Sequence, residues 1–133
     1  MHVFATPLIP ANIREGIPTY AMRRYELAEF VGAVEKYKIS ETWLATPPVI
    51  AIPKSNVTSK KALQSLRQDW FGGAVVKYKS QLPLYSLLHP EARINSVWGM
   101  TEVGWVTAVQ WPRKQMDDSV GSQLDGYHLW LVF

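Results

Sequence analysis

The sequence predicts an α/β fold, a partial and mostly parallel sheet with flanking helices, and three observations point to it. Short β-rich runs alternate with helix-length stretches, the pattern of βαβ units. Hydrophobic residues make up 47% of the 133 and charged residues 19%, a globular rather than a disordered composition. A chain of this length suits one compact domain and can bury roughly two-thirds of its unfolded surface. Residues 1–133 are read as a single unit, with no internal repeat and no linker.

In chain order, Ala11 to Gly16 is a short helix stopped by Gly16, with Pro18 beyond it. Thr19 to Met22 reads as a short strand. From Tyr25 to Lys38, Leu27, Phe30, Val31, Val34 and Tyr37 recur at steps of three and four, an amphipathic helix. Glu26 and Glu29 lie in its first turns and Lys36 and Lys38 in its last, matching the macrodipole. Glu41 to Ala45 is the next strand, ended by Pro47-Pro48. A weaker helix spans Val49 to Lys54, limited by Pro53. Ser59 to Leu63 forms a helical turn, and Leu66 to Phe71 a strand closing on Gly72-Gly73. Val75 to Leu88 is helical, bent at Pro83. Arg93 to Trp98 is a strand stopping at Gly99. Trp105 to Trp111 and Tyr127 to Phe133 are further strands, separated by a polar loop from Pro112 to Gly126.

Composition excludes several functions. The net charge is +3, and its basic residues are scattered rather than gathered into a nucleic-acid stripe. There are no cysteines, hence no disulfide, zinc thiolate or cysteine nucleophile. No apolar run approaches the ~20 residues that span a bilayer. The first ten residues lack the basic region of a signal peptide, and Leu131-Val132-Phe133 is no peroxisomal or retention tripeptide. A cytoplasmic location is expected. The chain opens in an apolar stretch and ends on a bare apolar strand, so it is expected to be a piece of something larger.

Chemistry concentrates in Asn95 to Gly104. Trp98, Gly99, Thr101 and Glu102 offer a ring to stack, close backbone approach, a phosphate donor and a magnesium ligand, placed at the carboxyl end of a strand. Open α/β sheets bind ligands at that edge. Alone, Gly-x-Thr-Glu reads as a turn and helix cap, and Gly72-Gly73 as a tight turn. His89 and His128 read as structural or exposed, and Asp117-Asp118 as a charged loop rather than a catalytic pair.

Trp98-Gly99-Met100-Thr101-Glu102 resembles the aromatic-Gly-x-Thr-Glu signature of the adenylate-forming superfamily, which includes acyl-CoA synthetases and 4-coumarate–CoA ligases. Further segments resemble that family in the right order. These are His2-Val3-Phe4-Ala5, Arg14-Glu15-Gly16, Met22 to Tyr25, Thr46-Pro47-Pro48-Val49, Leu66-Arg67 with Gly72-Gly73-Ala74, and Ser119-Val120-Gly121. Ala92 to Asn95 and Gly104-Trp105 are most like fungal 4-coumarate–CoA-ligase-like enzymes. The resemblance implies part of the large N-terminal, AMP-binding domain of such a ligase. It implies a two-step reaction: a carboxylate attacks the α-phosphate of ATP to give an acyl-adenylate, and coenzyme A then displaces AMP.

Carried over, the resemblance makes Thr101 and Glu102 catalytic, Thr101 on the α-phosphate and Glu102 on Mg²⁺. Gly72, Gly73, Ala74, Trp98, Gly99, Met100 and Thr101 would bind nucleotide, with Trp98 replacing the usual tyrosine against adenine. His2 and Trp105 would border the acyl group. A magnesium ion needs only one or two carboxylates when phosphates and waters complete its shell. The implied partners are a small-molecule carboxylic acid and a nucleotide, with no nucleic acid and no membrane span. The family's phosphate loop ending in lysine, its ribose-holding aspartate and its C-terminal lysine domain have no counterpart in these residues. The chain is therefore expected to be inactive alone. The alternative is a non-enzymatic remnant that binds nucleotide weakly or pairs with a full-length ligase.

Overall fold

The computed structural model describes residues 8–130, so His2 and the end of the predicted last strand lie outside the described residues. Helix α1 spans Leu8–Glu15 and ends on Gly16, whose φ of +66° is the left-handed stop that glycine adopts without strain. Helix α2, Leu27–Tyr37, buries Phe30, Val31 and Val34. Burying each of these contributes about 1.5–3 kcal/mol against leaving it exposed. The helix closes on Lys38, which is left-handed and returns its N–H to the Val34 carbonyl. The predicted strand Thr19–Met22 is irregular instead. Asn12 Nδ2 donates to Thr19 Oγ1 at 3.0 Å, and that hydroxyl lies 3.4 Å from the Ile17 carbonyl. Side chains that bond locally offer the backbone an alternative to a ladder.

Strand β1 is Glu41–Ala45 and passes directly into helix α3, Thr46–Ala51. Pro47 and Pro48 start this helix, where a missing N–H costs nothing. Pro53 lies in the single 3-10 turn that follows, Ile52–Lys54. Helix α4, Lys60–Leu63, is capped by Ser59, whose hydroxyl accepts the Ala62 N–H at 3.2 Å. Strand β2 is Gln68–Gly72. Helix α5, Tyr78–Tyr85, is shorter than predicted. Pro83 lies inside it and supplies no N–H, and the helix ends two residues later.

Strand β3, Arg93–Met100, runs through Gly99 instead of stopping there. It forms a hairpin with β4, Gly104–Ala108, with a bulge between Trp98 and Gly99. A Cβ on Gly99 would sit 2.2 Å from the Gly104 carbonyl oxygen, so only glycine permits the pairing. The final strand is misplaced in the sequence reading. Strand β5 is Ser122–Gln123, inside the predicted polar loop, while Tyr127 to Trp130 is irregular. Thr107 and Ala108 take Gln123 and Ser122 as antiparallel partners once Gly121, at φ +82°, has turned the chain.

Among the described residues the strands form one sheet in the order β1-β2-β3-β4-β5. It is parallel through β3 and antiparallel beyond, so the sheet is mixed. One face carries the core, where Leu44, Phe71 and Ile94 meet Val34 of α2, Leu63 of α4 and Leu84 of α5. On the other face the indoles of Trp43 and Trp70 both donate to Glu41 Oε1, at 3.2 and 2.8 Å. No helix among the described residues is long and apolar enough to cross a membrane.

Candidate functional site

Parallel pairing of β1, β2 and β3 brings their carboxyl ends to one edge. The first two are tied there by a side chain: Thr46 donates its hydroxyl to the Ala74 carbonyl at 2.8 Å and lies 3.5 Å from that of Gly72. Gly73 leaves β2 at φ +94°, a conformation side chains resist, and turns the chain away from the edge. Between this turn and β3 opens a cleft of about 260 Å³. Gly73 and Ala74 form one side and Ser96, Trp98 and Gly99 another. Gln115 and Asp118, from the irregular stretch after β4, close the third.

The cleft thus gathers Gly73, Ala74, Trp98 and Gly99 and leaves other candidates outside it. Gly72 is the last, buried residue of β2. Thr101 and Glu102 stand exposed in the turn of the β3–β4 hairpin, just past the rim. That turn is closed by the Val103 N–H on the Met100 carbonyl at 3.2 Å and braced by the Tyr127 hydroxyl on the Val103 carbonyl. Met100 is exposed beside it. Trp105 lies elsewhere, its ring 6.1 Å from that of Trp70. Trp98 is 42% exposed and lines the cleft. His89 is structural, its Nδ1 accepting the Glu91 N–H, and His128 is exposed.

Four contributors were not singled out from sequence as site side chains. Thr46 lay in a proline-marked loop, and Ser96 in a strand. Gln115 carries no pattern that marks it. Asp117 and Asp118 form no pair: Asp117 accepts the Ser119 N–H at 3.0 Å, while Asp118 accepts the Tyr78 N–H at 2.6 Å, at the start of α5. The hydroxyl and N–H of Ser119 hold the exposed Asp117 carboxyl below the usual range.

No group of three or more His, Asp or Glu side chains suited to a metal exists among the described residues. Glu102 is a single exposed carboxylate, which fits magnesium carried on nucleotide phosphates rather than an ion held by protein alone. No basic side chain among the described residues lines the cleft. A larger cleft, about 480 Å³, lies between β1, α2 and residues 17–25 and contains none of the candidate residues. Gly73, Ala74, Trp98 and Gly99 instead converge on the smaller cleft, beside the carboxyl ends of β2 and β3.

No family model matches the sequence. It is 34% identical over 120 residues to the nicotinic acid-CoA ligase olcI of Penicillium canescens, covering 90% of this chain and 22% of that protein. It is 35% identical over 129 residues to the nicotinic acid-CoA ligase pyr1 of Aspergillus fumigatus, covering 97% and 22%. In structure it resembles a long-chain-fatty-acid-CoA ligase from Archaeoglobus fulgidus, with a TM-score of 0.79 and 23% identity over 92% of this chain and 26% of that one. It also resembles the O-succinylbenzoate coenzyme A synthetase of Bacillus subtilis in complex with AMP, with a TM-score of 0.73 and 11% identity over 93% and 31%. The fold is that of the N-terminal part of an adenylate-forming ligase. Its sequence is similar to fungal acyl-CoA ligases, and it spans about a fifth of the length of the curated relatives it matches.

Proposed function

We propose that these residues supply the nucleotide-facing wall of a site that activates a carboxylic acid with ATP and passes it to coenzyme A. The observation that carries this is the cleft itself, where the Gly73-Ala74 turn and the Trp98-Gly99 segment meet at the carboxyl edge of parallel strands. Trp98 offers its indole to the adenine, and Gly73 and Ala74 allow the base to approach the backbone. Thr101 reaches for the α-phosphate from the hairpin turn. Glu102 beside it helps to hold magnesium that arrives with the phosphates and neutralises them. Trp105 borders the acyl group. The unit is one portion of a single AMP-binding domain of 4-coumarate–CoA-ligase-like type, working in the cytoplasm on small molecules.

Alone, the 133 residues bind nucleotide weakly and do not adenylate. A triphosphate needs positive charge as its bond to the leaving pyrophosphate breaks, and electrostatic and positioning effects each supply orders of magnitude in rate. The cleft among the described residues offers no such side chain. Calorimetric titration of the purified chain with AMP, ATP and inorganic phosphate tests the binding; AMP binding without phosphate binding is the expected result. ATP–pyrophosphate exchange with a panel of aryl and fatty acids tests the activity. Robust exchange by the chain alone overturns its inactivity.

A further inference from the structure

The third side of the cleft is built from backbone that neither strand nor helix supports, residues 109–121. Buried irregular backbone must find partners for its N–H and C=O groups. Here the side chains of Gln115 and Asn95 together supply five of them. Gln115 is only 2% exposed, and its amide is fully used. Oε1 accepts the Ser96 N–H at 2.7 Å, while Nε2 donates to the carbonyls of Asp117 at 3.0 Å and Ser119 at 2.8 Å. Its own N–H donates to Asn95 Oδ1 at 3.2 Å, and Asn95 Nδ2 donates onward to the carbonyls of Val109 and Arg113.

We infer that Gln115 is the positioning residue of the nucleotide cleft, setting the separation between the β3 side at Ser96–Gly99 and the loop side at Asp118–Val120. The inference rests on the nucleotide reading above. Its acceptor grips β3 two residues before Trp98. Its two donors grip the carbonyls on either side of Asp118, the residue that joins the loop to the first N–H of α5. A primary amide is the side-chain group that offers an acceptor and two donors in one rigid plane. The Ser96 hydroxyl, donating to the Ser119 carbonyl at 3.0 Å, repeats the β3-to-loop link but cannot replace both donors.

Gln115→Glu tests this with almost no change of shape. At pH 8 the carboxylate still accepts from Ser96 but faces two carbonyl oxygens that it cannot satisfy. At pH 5 a proton on that buried carboxyl restores one donor. Arg93 on β3, Tyr78, Lys79 and Tyr85 on α5, and Arg113, Lys114, Asp117 and Asp118 in the loop are the charged and titratable groups on the surrounding elements, common to both proteins, and cancel in the ratio. The expected result is an AMP Kd raised about tenfold over wild type at pH 8 and recovering toward it at pH 5. Hydrogen exchange at the Tyr78 amide should accelerate at pH 8 relative to wild type and recover in parallel. A variant that loses stability yet binds AMP as wild type does at both pH values overturns the inference. If wild type itself binds no AMP, the nucleotide reading fails, and unchanged Tyr78 exchange in the variant then overturns the positioning role as well.

Discussion

The hydroxyl of Thr42 donates to Oδ1 of Asp69 at 2.9 Å across the β1–β2 pair, and the other carboxyl oxygen, Oδ2, is buried without a partner. Asp69 stands in register between Thr42 and Ile94, on the face that carries the core. Burial pushes its carboxyl up to about 8, against a smaller lowering by the Thr42 hydrogen bond. The acid therefore keeps its proton in the folded chain across a range where the unfolded chain has lost it.

Stability should fall as pH rises through that range. Below the ordinary carboxylate value of 3.8 both states hold the proton and nothing is lost. Above it the unfolded state releases the proton and gains, by up to about 1.4 kcal/mol per pH unit, until the folded group also ionises near 8. Asp69→Asn removes the titration and keeps an acceptor for Thr42. We expect the variant to gain little at pH 4 and at least about 2 kcal/mol at pH 8 in urea unfolding. A difference that does not grow with pH sinks the argument.

Gly121 and Gly126 offer a matched pair, since both have positive φ, +82° and +89°. A Cβ at Gly121 would lie 2.0 Å from the Ala108 carbonyl carbon, whereas at Gly126 it would meet nothing within 4 Å. Gly126→Ala should cost only the left-handed strain, about 1–2 kcal/mol. Gly121→Ala must also push β4 away and should cost well over twice as much. Thermal melts of the two variants decide this, and equal losses would show that the Ala108 contact is not limiting.

How legible this was follows from the range over which each decision is made. Strand β1 was read with its observed bounds, and α2 to within two residues, because alternation and three-to-four recurrence act locally. Gly99 was misread as a stop because its meaning, a bulge pressed on Gly104, depends on a partner strand not visible in the local pattern. Tyr127 to Trp130 has the composition of a strand but no ladder, whereas Ser122–Gln123 has a ladder and little propensity, since pairing outweighs preference. That Gly73 and Trp98 fall near neighbouring strand ends follows from the parallel pairing that strand-helix-strand order predicts. The places of Gln115 and Asp118 do not follow from it, because their hydrogen bonds span 19 and 40 residues and no motif announces them.

Trp98 should matter for nucleotide affinity and hardly at all for stability. The residue is 42% exposed, and its place in β3 is held by backbone pairing with Thr107. Stacking on a base is worth roughly 1–3 kcal/mol. Trp98→Ala should therefore weaken AMP binding by roughly 5- to 150-fold, while Trp98→Phe keeps most of it. Both should change unfolding free energy by no more than about 0.5 kcal/mol. Calorimetry beside urea unfolding separates the two effects. Undiminished affinity in the alanine variant would falsify the stacking role.

Glu102 gives the sharpest test of the hairpin turn, because its contribution should change sign with the metal. The side chain is exposed and forms no ion pair among the described residues, so its charge faces whatever occupies the space above the turn. Without magnesium it meets phosphate as like charge and opposes binding. With magnesium on the phosphates it meets a cation and favours binding. Glu102→Gln keeps the size and removes the charge. At an exposed position each effect is screened, so a change of about two- to tenfold in ATP affinity is expected, shrinking as salt is added. The variant should bind ATP more weakly than wild type in magnesium and more tightly in EDTA, while AMP affinity without metal moves little. A side chain that merely shaped the turn would shift all three measurements in one direction, and that outcome would remove Glu102 from the site.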